Sequence, residues 1–268
     1  MKFLIINKIY NLPFSNYLSG FIKKKIIKNN NITFIPTNKK TLPKKNHPIQ
    51  NSLDYQEEII KTYNEKNEIS FNTFLELKNL LKKKFKPDSN FNFLDFGGDK
   101  LDFYLDISKE FKNINYFLIN QPDVNFIIET IKNKYNYTNL KVLNNLNEVK
   151  KNQYDFVYFG STLQYLEQYE DYIENILPLT KKNFLISATC FFLDEGPIKH
   201  IIVKQLNFLP KQFYLFFFNL NFLIKIFKKH NFVIEFEEEN KTYPCSFKNF
   251  DGLKINNIKY TNILFTKN

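Results

Sequence analysis

From residue 90 onward, short apolar segments alternate with longer amphipathic segments, and this alternation limits the possible folds more than any other feature of the chain. Strands are predicted at 91–96, 114–119, 140–143, 154–159, 184–189, 232–237 and 259–265, and helices at 102–111, 123–135, 169–179 and 221–230. Strands separated by helices need crossover connections, which produce a parallel sheet covered on both faces. Only a loop joins the last two strands, so the final strand is predicted to be antiparallel in an otherwise mostly parallel α/β sheet.

Two regions precede this α/β part. Residues 1–50 are rich in Lys, Asn and Pro and are predicted to form an irregular basic arm, with a short helix around 17–27. In residues 51–89 the apolar positions recur mostly at three- and four-residue intervals, which predicts a helical extension that Ser52 caps and Pro87 ends. The expected organisation is an arm, a helical extension and one large α/β domain.

The α/β domain, residues 90–268, contains one segment that follows neither the strand period nor the helix period. Residues 190–220 are therefore predicted to be an apolar insertion on the ligand side of the sheet. Aromatic residues are dense over 208–227, and core packing is the expected reason. Because lysines flank this stretch, two alternatives stay open: an apolar wall for a lipid-linked acceptor, or contact with a membrane surface.

The formal net charge is +11, but every basic residue is lysine and the lysines are spread along the chain. Arginine is the usual residue for bidentate contacts to phosphate and guanine. A surface made basic by lysine alone predicts no nucleic-acid partner.

Cys190 and Cys245 are isolated and have no CxxC or paired His spacing, so they suit a reducing compartment and predict neither a disulfide scaffold nor a metal site. The apolar run at 3–6 is too short for a signal peptide, whose apolar core needs about 7–15 residues. The apolar stretch 213–224 is shorter than the roughly 20 residues that span a bilayer. The sequence predicts a cytoplasmic protein, with peripheral membrane contact left open.

A glycine pair directly follows the first strand of the α/β domain, in Leu94-Asp95-Phe96-Gly97-Gly98. Glycine lets the backbone approach a ligand closely, and ligands of open α/β sheets bind at the carboxyl ends of the strands. The pair is predicted to be a ligand loop, and a tight strand-to-helix turn is the alternative.

A polar segment, Gly160-Ser161-Thr162-Leu163-Gln164-Tyr165-Leu166, follows the fourth strand at the same edge of the sheet. Ser161, Gln164 and Tyr165 are candidates for a cofactor or substrate wall. The alternative is structural: Ser161 or Thr162 caps a helix and Tyr165 packs.

The segments LDFGG and GSTLQYL, with the later apolar segment His200–Gln205, resemble an uncharacterised family assigned as S-adenosylmethionine (SAM) dependent methyltransferases of class I. That family is often associated with bacterial surface-polysaccharide gene clusters. The resemblance implies a Rossmann-like methyltransferase sheet, SAM as the cofactor and a small-molecule or glycan substrate. It assigns Asp95, Gly97 and Gly98 to the SAM loop, and places Gly160, Ser161, Gln164, Tyr165 and Gln205 in segments that line the site.

The chain differs from the usual methyltransferase pattern at two positions. The glycine pair continues into Asp99-Lys100-Leu101 instead of further small residues. The second strand ends at Asn120, where an acid usually accepts hydrogen bonds from both ribose hydroxyls. Asn120 is the predicted ribose contact, and the nearby Asp123 is an alternative.

No catalytic residue follows from the resemblance. A sugar hydroxyl needs a general base before methyl transfer. The candidates near the predicted crevice are His200 and Tyr165, followed by Asp194 and Glu195, and a packing role is the alternative for His200.

The leading hypothesis is a SAM-dependent methyltransferase that acts on a sugar or glycan precursor of a cell-surface polysaccharide. The second hypothesis is a catalytically inactive methyltransferase-like module for binding or assembly. The third is an enzyme that uses a nucleotide-sugar. A nicotinamide cofactor is not expected because the chain lacks the GxGxxG spacing.

Overall fold

The computed structural model describes residues 33–43, 52–66, 72–206, 213–240, 246–250 and 255–268. The helices are α1 (Leu53–Lys66), α2 (Asn72–Lys84), α3 (Asp102–Glu110), α4 (Pro122–Tyr135), α5 (Leu146–Val149), α6 (Tyr169–Ile176) and α7 (Leu220–Lys229). The strands are β1 (Phe34–Pro36), β2 (Phe91–Phe96), β3 (Ile114–Ile119), β4 (Leu140–Leu143), β5 (Tyr154–Gly160), β6 (Thr180–Leu193), β7 (His200–Gln205), β8 (Phe213–Asn219), β9 (Phe232–Glu239) and β10 (Asn256–Lys267).

Seven strands form a central sheet in the order β4-β3-β2-β5-β6-β10-β9. Strands β2 to β6 run parallel to their neighbours in this part, whereas β10 is antiparallel to both β6 and β9. The order reverses between β2 and β5, and ligands of open α/β sheets bind at the carboxyl edge beside such a reversal. The predicted fold class, a Rossmann-like methyltransferase sheet, is confirmed.

Helices cover both faces of the central sheet because its strands are apolar on both sides. On one face, α1 to α4 contribute buried side chains such as Ile60, Leu81 and Ile128. On the other face, α6 and α7 contribute Ile173 and Phe227. Both layers hold the carboxyl ends of the strands in fixed positions, and the candidate site lies there.

The segment 190–220 is the largest departure from the sequence prediction. Its described part contains the end of β6 and the strands β7 and β8, so the expectation of no regular structure was wrong. β8 lies parallel to the end of β6 at Phe191–Phe218, and β7 is antiparallel to β8. These strands are apolar at consecutive positions because residues on both of their faces are buried, which hides the two-residue strand period.

The aromatic residues of this segment pack in the core. Phe213, Phe216, Phe217 and Phe218 are all buried, as expected from the core-packing interpretation of 208–227. Residues 207–212 lie outside the described part. No helix in the described ranges is long and apolar enough to cross a membrane.

The N-terminal region is more regular than predicted where it is described. Phe34 and Ile35 are buried in β1, which pairs antiparallel with β7 at the edge of the sheet. Farther along, the Leu42 N–H donates to Glu167 Oε2 at 2.8 Å, so the chain reaches the segment before α6. The predicted helix at 17–27 lies outside the described residues, as does Cys245.

The helical extension consists of two helices, α1 and α2, with residues 67–71 between them outside the described part. Ser52 caps α1 as predicted, because its Oγ accepts from the Tyr55 N–H at 3.2 Å. The second helix, α2, ends at Lys84, shortly before Pro87.

A β-bulge interrupts β6 where the central sheet passes into the added strands. Ser187 and Ala188 together face Asn262 of β10, and Ala188 has a φ of 52°, which is rare for a residue with a side chain. Asn262 Oδ1 accepts from Ser187 Oγ at 2.7 Å, from Ala188 N at 2.9 Å and from Asn240 Nδ2 at 3.1 Å. One buried oxygen therefore holds the strained backbone in place.

Replacing Asn262 by alanine is expected to lower the free energy of unfolding by about 3 kcal/mol, because buried donors would lose their acceptor. Urea denaturation measures the change. The matched control is Asn147→Ala in the exposed first turn of α5, with an expected change below about 0.5 kcal/mol. Equal destabilisation by the two variants would contradict the role given to the Asn262 oxygen.

Candidate functional site

The glycine pair lies in a tight turn at the carboxyl end of β2. Gly97 has a φ of 88° and its N–H donates to Ile119 O at 2.7 Å. A Cβ on Gly97 would overlap the side chain of Thr162, with the Thr162 Cβ 2.8 Å away, and a Cβ on Gly98 would overlap the carboxylate of Asp95. Both glycines are required by the packing of the protein itself, and the turn after β2 meets the turn after β5 at Gly97.

Asp95 is buried directly under this turn. Its Oδ2 accepts from the Tyr116 hydroxyl at 2.6 Å, and only 3% of the residue is exposed. The pKa of the Asp95 carboxyl is raised to about 7, chiefly by burial and also by the nearby Asp99 and Asp102, against the lowering effect of the Tyr116 hydrogen bond. Burial also raises the pKa of Asp102 to about 6. Two carboxyl groups on either side of the glycine turn, at the end of β2 and at the start of α3, therefore have pKa values near neutral pH.

Asn120 joins the loops that follow β2 and β3. Its Nδ2 donates to Gly98 O at 2.8 Å, and its Oδ1 accepts from the Gln121 N–H at 2.7 Å. The Asn125 side chain in turn accepts from the Asn120 N–H at 2.8 Å. Asn120, the predicted ribose contact, thus has protein partners on its backbone N–H and on both the Nδ2 and the Oδ1 of its side chain. The second lone pair of Oδ1 is left for a ligand.

The bulky residues after the glycine pair are directed towards the helices. Leu101 is fully buried in the core formed by α1 to α4. Lys100 Nζ lies 5.8 Å from the ring centroid of Tyr55 on α1, a cation–π contact. Both side chains are therefore engaged by the helices on this face of the sheet.

The turn after β5 is held by its own polar side chains. Ser161 has a φ of 56°, and its N–H donates to Ser187 O at 2.9 Å. The Ser161 Oγ accepts from Gln164 Nε2 at 3.0 Å, whereas Thr162 Oγ1 donates to Gly160 O at 3.1 Å. Neither hydroxyl caps a helix, so the capping alternative for this segment was wrong.

Two of the predicted substrate residues bond to each other. The Tyr165 hydroxyl donates to Gln205 Oε1 at 2.8 Å, which ties the turn after β5 to the end of β7. Burial raises the pKa of Tyr165, so the phenol stays protonated at neutral pH and acts as a donor. As a general base, Tyr165 is disfavoured.

His200 lies at the other end of β7. Its Nδ1 is 3.0 Å from the hydroxyl of Tyr169, and its ring packs on Phe216 with centroids 4.3 Å apart. Burial lowers the pKa of His200 against the opposing effect of Glu170 and Glu167, so the imidazole is neutral at pH 7. A neutral imidazole bonded at Nδ1 has a second nitrogen for proton exchange.

Asp194 and Glu195 lie in the loop between β6 and β7, where they line a cleft of about 420 Å³ with residues of α7. The predicted residues thus form separate groups. Asp95, Gly97, Gly98 and Asn120 lie together at the carboxyl ends of β2 and β3, with Ser161 and Gln164 in the adjoining turn. Tyr165, in the same turn, bonds to Gln205 at the end of β7, whereas His200 lies at the other end of β7 and Asp194 and Glu195 lie in the loop between β6 and β7.

Sequence reasoning missed Gln56 on α1, whose amide bonds to the loop after the glycine pair. A signal for it exists in the sequence, because Gln56 precedes Ile60 and Tyr63 by four and seven residues and so is a polar residue on the apolar stripe of the helix. Thr162 against Gly97 had no comparable signal, since the two lie on different loops.

Comparison with known proteins supports the fold. No protein-family model matches the chain, and neither does any curated protein sequence. Among solved structures, the N-terminal domain of EvdMO1, solved in the presence of S-adenosylhomocysteine (SAH) and D-fucose, has 8% sequence identity and a TM-score of 0.51, over 74% of this chain and 84% of that chain. A protein assigned as a sarcosine dimethylglycine methyltransferase from Galdieria sulphuraria has 12% identity and a TM-score of 0.50, over 73% and 85%. At such identities the likeness establishes the fold alone.

Proposed function

We propose that this protein is a SAM-dependent methyltransferase whose acceptor is a sugar or a glycan precursor of a cell-surface polysaccharide. The observation that carries the proposal is the meeting of three loops, after β2, β3 and β5, at the carboxyl edge where the strand order reverses. Asn120 binds the glycine turn there, and Thr162 closes against it. Similar folds have been solved with SAH bound, which supports SAM as the ligand of this edge.

The residues at this edge fit the cofactor in specific ways. Lys100 and Leu101, the bulky residues after the glycine pair, pack towards the helices, so their side chains are engaged by the protein core and by Tyr55. The second lone pair of Asn120 Oδ1 accepts a ribose hydroxyl. SAM supplies a methyl group activated by a sulfonium, so the chain needs only to align the acceptor and accept its proton.

A sugar is the favoured acceptor class for two reasons. The similar EvdMO1 domain was solved in the presence of D-fucose. The chain also has His200, whose pKa is lowered by burial and whose Nδ1 bonds to Tyr169. In the tautomer that donates from Nδ1 to the Tyr169 hydroxyl oxygen, the lone pair of Nε2 is suited to take the proton of an acceptor hydroxyl while the oxygen–carbon bond forms and the sulfur–carbon bond breaks. His200 is the candidate base of this proposal, ahead of Tyr165.

The second candidate is a binding or assembly module without catalytic activity. Its support is the close contact of Thr162 with Gly97 together with the two protein bonds of Asn120. Both features occupy groups that a cofactor would otherwise contact. A module of this kind keeps the sheet and lacks methyl transfer.

Calorimetric titration separates these functions. The enzyme proposal predicts that SAM and SAH bind with a Kd of about 10 µM, within the usual range for enzyme substrates. It also predicts SAH release when D-fucose or a nucleotide-sugar is added with SAM. ATP is the control ligand, since it shares the adenosine part only, and we expect it to bind at least about tenfold more weakly.

Failure of both SAM and SAH to bind to folded protein would refute the enzyme proposal and leave the binding module. Binding of SAM with no methyl transfer to any sugar or glycan tested would remove the proposed acceptor class. Selective binding of a nucleotide-sugar alone would favour the third hypothesis from the sequence.

A further inference from the structure

Helix α1 reaches the loop after the glycine pair through one buried amide. Gln56 has no exposed surface. Its Nε2 donates to Asp99 O at 2.7 Å, and its Oε1 accepts from the Leu101 N–H at 3.1 Å. The two bonds lie on either side of Lys100, so a single side chain from outside the α/β domain fixes the backbone of three consecutive residues.

The loop is held from the opposite side as well. Asn120 Nδ2 donates to Gly98 O, one residue before the first carbonyl that Gln56 contacts. Lys100 adds a cation–π contact with Tyr55, which neighbours Gln56 on α1. Residues 98–101 are therefore clamped between the end of β3 and the first turns of α1.

Breaking this clamp costs free energy because the side-chain amide of Gln56 is buried. A buried amide costs free energy unless its donor and acceptor are both paired, and here the backbone groups of the loop pair them. Any loop conformation that breaks these bonds leaves a buried polar side chain unsatisfied. The amide thus selects one loop conformation out of those that a glycine-containing segment otherwise visits.

We propose that Gln56 is a positioning residue that holds residues 98–101 in the conformation that binds the cofactor. This inference rests on the proposed function for the statement that the loop binds a cofactor. It rests on the contacts of Gln56 for the statement that α1 positions the loop. The proposal also gives the helical extension a role, because α1 completes the ligand site of the α/β domain.

Two substitutions at Gln56 and one matched control test the proposal. Gln56→Met keeps the length of the side chain and removes both hydrogen bonds. Gln56→Glu keeps the acceptor for Leu101 and loses the donor to Asp99 when it is ionised. The control is Tyr63→Phe, which removes another buried hydrogen bond of α1, from the Tyr63 hydroxyl to Leu105 O at 3.0 Å, two turns away from the loop.

The first readout is hydrogen–deuterium exchange in the ligand-free protein. In Gln56→Met we expect exchange at the Leu101 amide to rise about tenfold or more, corresponding to one lost hydrogen bond. In Tyr63→Phe the exchange at this amide should stay within about twofold of the wild type, even though thermal stability falls. If Leu101 exchange is the same in the two variants, the positioning role is refuted, whether or not SAM binds.

The second readout is the Kd for SAM and SAH. Gln56→Met is expected to raise it about tenfold and Tyr63→Phe less than about twofold. Gln56→Glu should resemble Gln56→Met at pH 8 and approach the wild type as the pH falls, because a protonated carboxyl donates to Asp99 O. Unchanged affinity in Gln56→Met would also refute the role. If the wild type binds neither ligand but Leu101 exchange still rises, the clamp stands and the proposed function fails.

Discussion

Replacing Gly97 by valine is expected to abolish binding of SAM and SAH, with a Kd raised at least about 100-fold, equivalent to about 2.7 kcal/mol. Two effects combine. The φ of 88° strongly disfavours a β-branched residue, and the new side chain would occupy the space of Thr162. The turns after β2 and β5 would have to separate, and the crevice would lose its geometry. Calorimetry with SAH measures the loss, and circular dichroism verifies that the variant remains folded.

Three further variants keep this prediction decisive. Gly196→Ala adds a side chain in the exposed loop between β6 and β7, where a Cβ lies 3.1 Å from Asp194 Oδ2, and it should leave binding within about twofold of the wild type. If Gly97→Val proves unfolded, Gly97→Ala is compared with the double variant Gly97→Ala/Thr162→Gly. Removing Thr162 relieves the overlap, so the double variant should bind more tightly than the single one. Wild-type affinity in folded Gly97→Val would contradict the site.

Asp95 is expected to make the protein less stable as the pH rises from about 4 to about 7. Its folded-state pKa of about 7 exceeds the usual value of 3.8, so the native state binds the proton more tightly than the unfolded state does. The contribution to stability is fully present below about pH 4 and is lost as the pH rises through about 7. The raised pKa of Asp95 alone corresponds to a loss of about 4 kcal/mol in the free energy of unfolding over this pH range.

The Asp95→Asn variant removes this titration and keeps an acceptor for the Tyr116 hydroxyl. We expect its unfolding free energy at pH 8 to equal or exceed that of the wild type, and its slope between pH 5 and pH 8 to be smaller. Part of the slope should remain, because the pKa of Asp102 is raised to about 6. Urea denaturation across this pH range tests it, with the exposed Asp123→Asn as control. Identical slopes in wild type and Asp95→Asn would refute the assignment.

The sequence alone was sufficient for the regular part of the α/β domain. The bounds of β2, β3 and β4 agree with those predicted, because a short apolar run between turn residues is a local signal. The antiparallel final strand was also predicted from the chain, since the sequence between the last two strands shows no helical pattern that would form a crossover.

The candidate site could be predicted only as a set of loops. That the glycine pair and the polar segment after β5 lie at one edge follows from parallel strands, whose carboxyl ends point the same way. The sequence does not indicate which side chains of these loops are in contact. Asn120 binding Gly98, and Thr162 filling the space above Gly97, depend on loop conformations that no local period encodes.

The tertiary structure decided everything that depends on contacts between distant parts of the chain. β1 joins β7 through pairs such as Phe34–Gln205, and Gln56 of α1 fixes a loop that follows it by more than 40 residues. The strands β7 and β8 were hidden because burial on both faces erased their alternation. Hydrophobic periodicity records whether one face of an element is buried, and it carries no information about the partner that buries it. The sequence therefore determined the elements and their order, whereas packing alone determined the added strands, the clamp on the glycine loop and the protonation of Asp95.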